Sequence, residues 1–176
     1  MEISIRRLDR AEVELVWTID RREVVQEIYQ VSDGRLSLRS QFYDTRGWPE
    51  GEPEAYTPIL LDCFDHEGIF LGAFTGGSLV AASVIDVRPV SDYPKLRQLA
   101  FLHVSRDWRG QKIASTLYQL CKEAVERSSG EGFYISATPT RRTVEFYLHQ
   151  GAALLANPDR TLVAIEPEDI HLTHWF

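Results

Sequence analysis

The clearest pattern of hydrophobic and polar positions lies in residues 99–125. Residues 99–104 are almost all apolar, which is typical of a strand covered on both faces. Polar, turn-forming residues follow at 105–107. Apolar residues then recur at helical spacing, at Ile113, Leu117, Leu120, Cys121, Ala124 and Val125. The pattern predicts a buried strand, a short turn and an amphipathic helix, in that order.

The first twenty residues have the pattern of a strand followed by a helix. Ile3 and Ile5 alternate with polar residues, which favours a short strand. Asp9 and Glu12 have the spacing of a capping box, and apolar residues follow them at helical intervals. We therefore expect a helix that ends near Ile19.

Residues 22–43 allow two interpretations. Asp20 and Glu23 are suitable caps for a second helix. The pair Asp33-Gly34, however, lies between two apolar runs, and Asp-Gly is typical of the tight turn in a β-hairpin. We favour the hairpin.

Proline and glycine divide the middle of the chain. Residues 44–58 hold three prolines and two glycines, and we interpret them as a loop. The apolar runs at 69–74 and 79–87 lie on either side of Thr75-Gly76-Gly77-Ser78, which predicts a second hairpin.

The last third of the chain predicts two more strands and one helix. Residues 133–137 have the pattern of a buried strand, and a helix is expected from Pro139-Thr140 to Gly151. Residues 161–165 are interpreted as the last strand. The final ten residues, 167–176, are expected to form an aromatic tail that packs against the core.

The turn at residues 109–115 carries the first chemical signal. Where a turn leads directly into a helix, the first backbone N–H groups are unpaired and the helix dipole adds positive charge. Small residues such as Gly110 also allow a ligand to approach the backbone. The turn therefore suits a phosphate or pyrophosphate group. An ordinary connection with a surface arginine and lysine fits the turn alone equally well.

Two segments resemble motifs of the GNAT superfamily of acyl-CoA-dependent N-acetyltransferases. VSRDWRGQKIAS resembles motif A, whose turn reads Arg/Gln-x-x-Gly-x-Gly/Ala; Arg109 and Ala114 match, while Lys112 stands where the family usually has glycine. We expect Lys112 to have ordinary helical dihedral angles. About thirty residues downstream, TVEFYLHQG resembles motif B, a helix that carries Phe-Tyr and ends at glycine. The resemblance covers residues 70–165 well.

The resemblance implies a fold and an activity. The fold is α/β (α+β): a mixed central β-sheet flanked by helices, in a single GNAT domain spanning 1–176, with an N-terminal β-hairpin elaboration. The activity is transfer of an acetyl group from acetyl-CoA to a primary amine by direct attack in a ternary complex. The alternative is a non-catalytic acyl-CoA-binding sensor or partner-binding module with the same fold.

The resemblance also assigns roles to residues. Tyr147 of motif B is the expected general acid that protonates the departing thiolate. The backbone of Leu102, His103 and Val104 is expected to contact the pantetheine arm and the thioester. Thr140 occupies a position where the family often has an asparagine that contacts CoA. The expected pyrophosphate-binding residues are Arg109, Gly110, Gln111, Lys112, Ile113, Ala114 and Ser115.

The general base is left open by the sequence. His103 has a suitable intrinsic pKa, although a buried structural histidine fits the pattern equally well. Gln98 lies roughly where some GNAT members carry a glutamate base, and a glutamine does not accept a proton. Asp86 and an ordered water are the other candidates.

Charge narrows the choice of partners. The chain has 176 residues and a net charge of −7, which argues against a nucleic-acid partner. Seven acidic residues lie between Asp44 and Glu67, opposed only by Arg46. This surplus is either a solvated loop or a means of attracting a positively charged amine acceptor.

Cysteine content and hydropathy bear on location. Two cysteines without a metal-binding or disulfide pattern fit a reducing compartment, and no apolar run approaches membrane-spanning length. We therefore expect a cytoplasmic protein with no membrane partner and no metal. A homodimer is kept as a candidate assembly.

Overall fold

A central sheet of seven strands, in the order β1-β4-β5-β6-β7-β9-β8, organises the computed structural model, which describes residues 2–176. The strands are β1 (Ser4–Arg7), β2 (Glu23–Ser32), β3 (Arg35–Thr45), β4 (Ile69–Thr75), β5 (Ser78–Pro89), β6 (Leu96–Val104), β7 (Gly132–Ala137), β8 (Ala153–Leu154) and β9 (Ile170–Trp175). The helices are α1 (Glu52–Asp65), α2 (Ile113–Arg127), α3 (Arg141–His149) and α4 (Arg160–Ile165), with 3₁₀ helices at Arg10–Thr18 and Arg106–Trp108. The mixed sheet and its flanking helices confirm the predicted fold class.

The sheet opens at its centre. Strands β6 and β7 are parallel, and their pairing extends only from Leu96 opposite Gly132 to Leu99 opposite Ile135. Beyond Leu99, β6 continues to Val104 while paired only with β5. The strand predicted at 99–104 is therefore confirmed, but burial on both faces is not, because Ala100 is exposed and residues 102–104 are partly exposed. The two strands enclose a wedge.

Helix α2 covers one face of the sheet next to this wedge. Its buried side chains include Leu117, Cys121 and Val125, as the helical spacing predicts. The opposite face is covered by the first 3₁₀ helix and by α1, whose Val16 and Leu60 pack in one cluster with Phe70. Apolar packing on both faces fixes β6, and the end of β6 determines where the wedge opens.

The N-terminal hairpin is confirmed as a separate two-stranded sheet of β2 and β3. Asp33 and Gly34 have φ angles of 50° and 71°, the positive values that a tight hairpin turn requires at both central positions. The alternative of a second helix in this region is wrong. The hairpin contacts the rest of the protein through the Tyr29 N–H, which donates to the Pro139 carbonyl at 2.7 Å.

The loop predicted at 44–58 is confirmed only for residues 46–51 and is wrong beyond them, because α1 begins at Glu52. Pro53 lies in its first turn, where the missing N–H has no helical partner to lose. Pro58 lies inside the same helix. The number of prolines therefore predicted too long a loop, because a proline in the first turn of a helix does not interrupt it.

The strand predicted at 161–165 is also wrong. These residues belong to α4, whose N-cap Asp159 accepts hydrogen bonds from the N–H groups of Thr161 and Leu162, both at 3.0 Å. A short apolar run fits a strand or a helix equally, and the cap decides in favour of the helix. The last strand is β9, within the segment expected to be a tail, and it pairs with β7.

None of the helices in the described chain, residues 2–176, has the length and apolar character needed to cross a membrane.

Leucine truncations on α2 test which of its apolar positions hold it to the sheet. Leu117 is fully buried, so Leu117→Ala is expected to lower the free energy of unfolding by about 2–5 kcal/mol. Leu120→Ala is the matched control on the same helix, and because Leu120 is partly exposed its cost is expected to be much smaller. Urea unfolding measures both, and equal losses would contradict this packing.

Candidate functional site

Two depressions meet at the wedge between β6 and β7. The first, here called the helix groove, lies at the start of α2 and has a volume of about 430 Å³. The second, here called the acidic cavity, has a volume of about 650 Å³ and extends along β6 toward α1 and α4. Arg21, His103 and Thr138 line both depressions, so the two adjoin at these residues.

The turn that precedes α2 gives the helix groove its chemistry. Gly110 and Lys112 have φ angles of 77° and 64°, so the chain turns sharply before the helix. Among the residues that the structure describes, no acceptor is bonded to the N–H groups of residues 110–115, and the first helical bond is from Thr116 to Lys112 at 3.0 Å. A run of free N–H groups at a helix N-terminus favours an anion.

Side-chain charge in the helix groove is mostly positive. Arg21, Arg109, Lys112 and Arg142 line it, opposed by Glu23. The basic side chains and the free backbone N–H groups of the groove therefore both favour a ligand with several negative charges.

Arg109 uses its side chain for structure. Its Nε donates to the Val104 carbonyl and its Nη1 to the Arg22 carbonyl, both at 3.0 Å. Burial, with Arg142 nearby, lowers the pKa of the Arg109 guanidinium below its ordinary value. Arg109 thus ties the turn to the end of β6, while its positive charge remains at the groove.

The expected helical dihedral angles of Lys112 are wrong. Lys112 is the N-cap of α2 and has a left-handed backbone, with φ 64° and ψ 8°. A side chain costs energy in this region, whereas glycine does not. The backbone thereby explains why glycine is usual at this position of the motif.

Tyr147 lies on α3 at the inner end of the helix groove and is 6% exposed. Its hydroxyl has no hydrogen-bond partner in the described part of the chain, whereas nearby Tyr118 bonds His174 Nδ1 at 2.8 Å. Burial raises the pKa of Tyr147, so its phenol keeps its proton at neutral pH. An unpaired phenol at this place can donate a proton to a bound group.

Thr140 and Gln111 have other roles in this structure. Thr140 is the N-cap of α3, and its Oγ1 accepts from the Thr143 N–H at 3.3 Å. It lines the helix groove, as do all the other predicted cofactor residues except Gln111. The Gln111 side chain instead donates to the Asp107 carbonyl at 3.4 Å.

His103 lies at the junction of the two depressions. Its ring packs against those of Trp48 and Phe101, with centroids 4.9 and 4.6 Å away. Burial, together with the charges of Arg21 and Arg109, lowers the pKa of His103 to about 3. The imidazole is therefore neutral at physiological pH and holds a proton weakly.

The acidic cavity differs from the helix groove in charge. Five carboxylates line it, opposed by Arg21: Glu50, Glu52, Asp86, Glu166 and Asp169. Aromatic residues, Trp17, Trp48, Tyr56 and Phe101, form much of the rest of its wall. This combination favours a positively charged ligand.

The acidic surplus predicted between Asp44 and Glu67 divides between two places. Glu50 and Glu52 line the acidic cavity. On the surface, Asp62 pairs with Arg88 and Asp65 pairs with Arg10. The side chains of Asp62 and Asp65 are 55% and 48% exposed. Each of the two sequence interpretations therefore fits part of the segment.

The base candidates Asp86 and Gln98 both line the acidic cavity and lie opposite each other on β5 and β6. Arg88 binds both carboxylate oxygens of Asp86, with Nε at 3.0 Å and Nη2 at 2.7 Å. Sequence reasoning missed Glu166 and Asp169, which lie in the segment between α4 and β9. No local motif marks either residue, because only the pairing of β9 with β7 brings them to the cavity.

The comparisons agree with this architecture. The sequence model of the Acetyltransferase (GNAT) family matches residues 35–152. None of the curated proteins compared with the chain is similar enough in sequence to match it.

Solved structures are similar across the whole chain. A nourseothricin acetyltransferase has a TM-score of 0.73 at 14% identity, with 99% of each chain covered. A protein described as a streptothricin acetyltransferase from Bacillus anthracis, solved with acetyl coenzyme A, has a TM-score of 0.74 at 13% identity, covering 100% of this chain and 99% of its own. The PaiA N-acetyltransferase from Thermoplasma acidophilum, solved with coenzyme A, has a TM-score of 0.66 at 15% identity, with 100% of both covered. At these identities the likeness shows the fold.

Replacing Lys112 with glycine tests the strain in the turn. Relief of a left-handed side chain is worth about 1–2 kcal/mol. This gain exceeds the entropic cost of ordering the more flexible glycine, roughly 0.5–1 kcal/mol. Lys112→Gly is therefore expected to raise the free energy of unfolding by up to about 1 kcal/mol. Lys112→Ala keeps the Cβ and is the control. Equal stability of the two variants in urea would show that no strain is stored there.

Proposed function

Because the chain belongs to the GNAT acetyltransferase family, we propose that it is an enzyme that transfers an acetyl group from acetyl-CoA to a primary amine. The amine attacks the thioester directly while both substrates are bound, and no covalent acetyl-enzyme forms. The helix groove binds acetyl-CoA and the acidic cavity binds the amine.

The free N–H groups of residues 110–115 are the observation that carries the proposal. They suit the pyrophosphate of CoA, and the positive side chains of the helix groove add to the attraction. Two of the similar solved structures contain acetyl coenzyme A or coenzyme A, which supports this ligand.

The wedge between β6 and β7 supports the placement of the acetyl group. Beyond Leu99 the edge of β6 that faces β7 is unpaired, so its backbone groups are free to bond the pantetheine arm. An arm that follows this edge from the α2 turn brings the thioester toward His103 and Tyr147. Tyr147 then protonates the thiolate as the carbon–sulfur bond breaks.

The acidic cavity supports a positively charged amine as acceptor. Its carboxylates line a chamber that adjoins the helix groove at His103 and Thr138. Two of the similar structures are named as a nourseothricin acetyltransferase and a streptothricin acetyltransferase. A positively charged acceptor fits the charge of this cavity. A non-catalytic acyl-CoA-binding module is the second candidate, and the unpaired Tyr147 hydroxyl favours the enzyme.

A charge placed at the α2 turn tests the binding of acetyl-CoA. The wild-type melting temperature is expected to rise with acetyl-CoA concentration, because the ligand binds the folded state. Ala114→Asp is expected to abolish this rise, since its carboxylate repels the phosphates, and to leave the free protein stable because an acidic residue suits a helix N-terminus. Ala114→Asn, of nearly the same shape, is the neutral control and is expected to retain much of the shift. An unaltered shift in the aspartate variant would exclude this turn as the pyrophosphate site.

Removal of one hydroxyl tests catalysis. With acetyl-CoA and a panel of cationic and neutral amines, Tyr147→Phe is expected to lower kcat by roughly 10²–10⁴-fold, the range for acid–base residues. Tyr118→Phe is the matched control, because that buried hydroxyl bonds His174 instead of lining the groove. Release of free thiol measures the rate. Wild-type protein that binds acetyl-CoA yet releases no thiol with any amine would favour the non-catalytic module.

A further inference from the structure

Asp169 is a carboxylate of the acidic cavity that belongs to neither motif. It lines the acidic cavity and directly precedes β9. Strand β9 pairs with β7 so that Ile170 is opposite Ala137, and one step further Asp169 flanks Thr138. Thr138 lines both the cavity and the helix groove. The register of β9 therefore brings Asp169 next to Thr138, the residue at which the two proposed substrate sites adjoin.

The Asp169 carboxylate is unpaired, in contrast to its neighbours. Glu52 pairs with Arg21 at 3.2 Å, and Glu166 accepts a hydrogen bond from the Tyr56 hydroxyl. Asp86 is held by Arg88 at 2.7 Å. The side chain of Asp169 has no ion pair or hydrogen bond within residues 2–176, and its own N–H donates to the Glu166 carbonyl at 3.2 Å. Asp169 is thus free to exchange a proton with a ligand in the cavity.

Charged and titratable groups from several elements surround Asp169. Glu52 and Tyr56 come from α1, Glu166 from the end of α4, and Arg21 from the segment before β2. Burial, with Glu166, raises the pKa of Asp169 to about 7, while Arg21 opposes the shift. The charge of Asp169 in turn raises the pKa of Tyr147 on α3. The carboxylate and the phenol therefore belong to one electrostatic environment.

We propose that Asp169 is the catalytic base that removes a proton from the ammonium group of the acceptor. This inference rests on the proposed acetyl transfer and assigns the group that the sequence leaves open. Gln98 does not accept a proton, and the Asp86 carboxylate is already bound by Arg88. His103 packs against two aromatic rings and holds a proton only weakly.

The proton balance of the reaction is complete with these groups. The Asp169 carboxylate takes one proton from the ammonium, and the neutral amine nitrogen attacks the thioester carbon. When the tetrahedral intermediate collapses, the carbon–sulfur bond breaks and Tyr147 gives its proton to the sulfur. The phenolate recovers a proton from the new amide nitrogen, and Asp169 releases its proton to solvent. The products are the amide, free CoA thiol and one proton.

The test is the pH profile of Asp169→Asn with a cationic acceptor. The wild-type kcat/KM is expected to rise with pH and to bend near pH 7, because the ionised carboxylate is the active form. Asp169→Asn is expected to lower kcat by roughly 10²–10⁴-fold and to remove this bend, so that the rate follows only the fraction of free amine. Glu168→Gln, the exposed neighbour, is the control and is expected to keep both the rate and the bend.

Two further measurements separate a chemical role from a structural one. A raised carboxyl pKa means that ionised Asp169 destabilises the fold at pH 8, so the asparagine variant is expected to be at least as stable there as the wild type. Its melting temperature is expected to rise with acetyl-CoA as in the wild type. Loss of the acetyl-CoA shift in this variant, or a reduced rate with the bend unchanged, would overturn the proposal.

The outcome also distinguishes this proposal from the proposed function. An active wild-type enzyme whose Asp169→Asn variant keeps its rate and pH profile would overturn the role of Asp169 and leave acetyl transfer intact. A wild-type protein that releases no thiol with any amine would overturn acetyl transfer itself.

Discussion

The site depends on one interruption of backbone pairing, where the ladder between β6 and β7 ends at Leu99 and Ile135. A parallel sheet that continued to Val104 would bury these backbone groups against each other and leave no wedge. The interruption is stable because apolar packing holds β6 on both faces below it and the turn to α2 is tied to β6 by Arg109. Because the ladder ends there, the backbone N–H and C=O groups of β6 beyond Leu99 are available to bind a ligand.

The same interruption lies where two different electrostatic environments adjoin. On the side of α2, free N–H groups and basic side chains favour an anion. On the side of α1 and α4, carboxylates and aromatic rings favour a cation. His103, which is neutral and lines both depressions, lies between them and adds no charge.

Much of the fold could be predicted because its signals are local. The 3.6-residue period of α2, the Asp33-Gly34 turn and the cap before α3 each depend on neighbours in sequence. The prediction for α1 was wrong because it counted prolines without regard to their position, and Pro53 lies in the first turn of the helix. The prediction for α4 was wrong because its apolar run is too short to show a helical or a strand period. The groove residues at the α2 turn and on α3 were predictable from the two motifs, whereas Arg21, Glu23, Tyr43 and Thr45 were not. Asp169 was not, because its place depends on the register of β9 against β7, which no local pattern specifies.

The β2–β3 hairpin contributes Glu23, Tyr43 and Thr45 to the wall of the helix groove, yet it lies outside the seven-stranded sheet. It has few buried apolar side chains, and Phe42 near its base is 71% exposed. Segments of this kind open locally at a lower free energy than the core to which they are attached. Its amide protons are therefore expected to exchange with solvent sooner than those of β5 or β6, so that one wall of the groove opens while the remainder of the site stays folded.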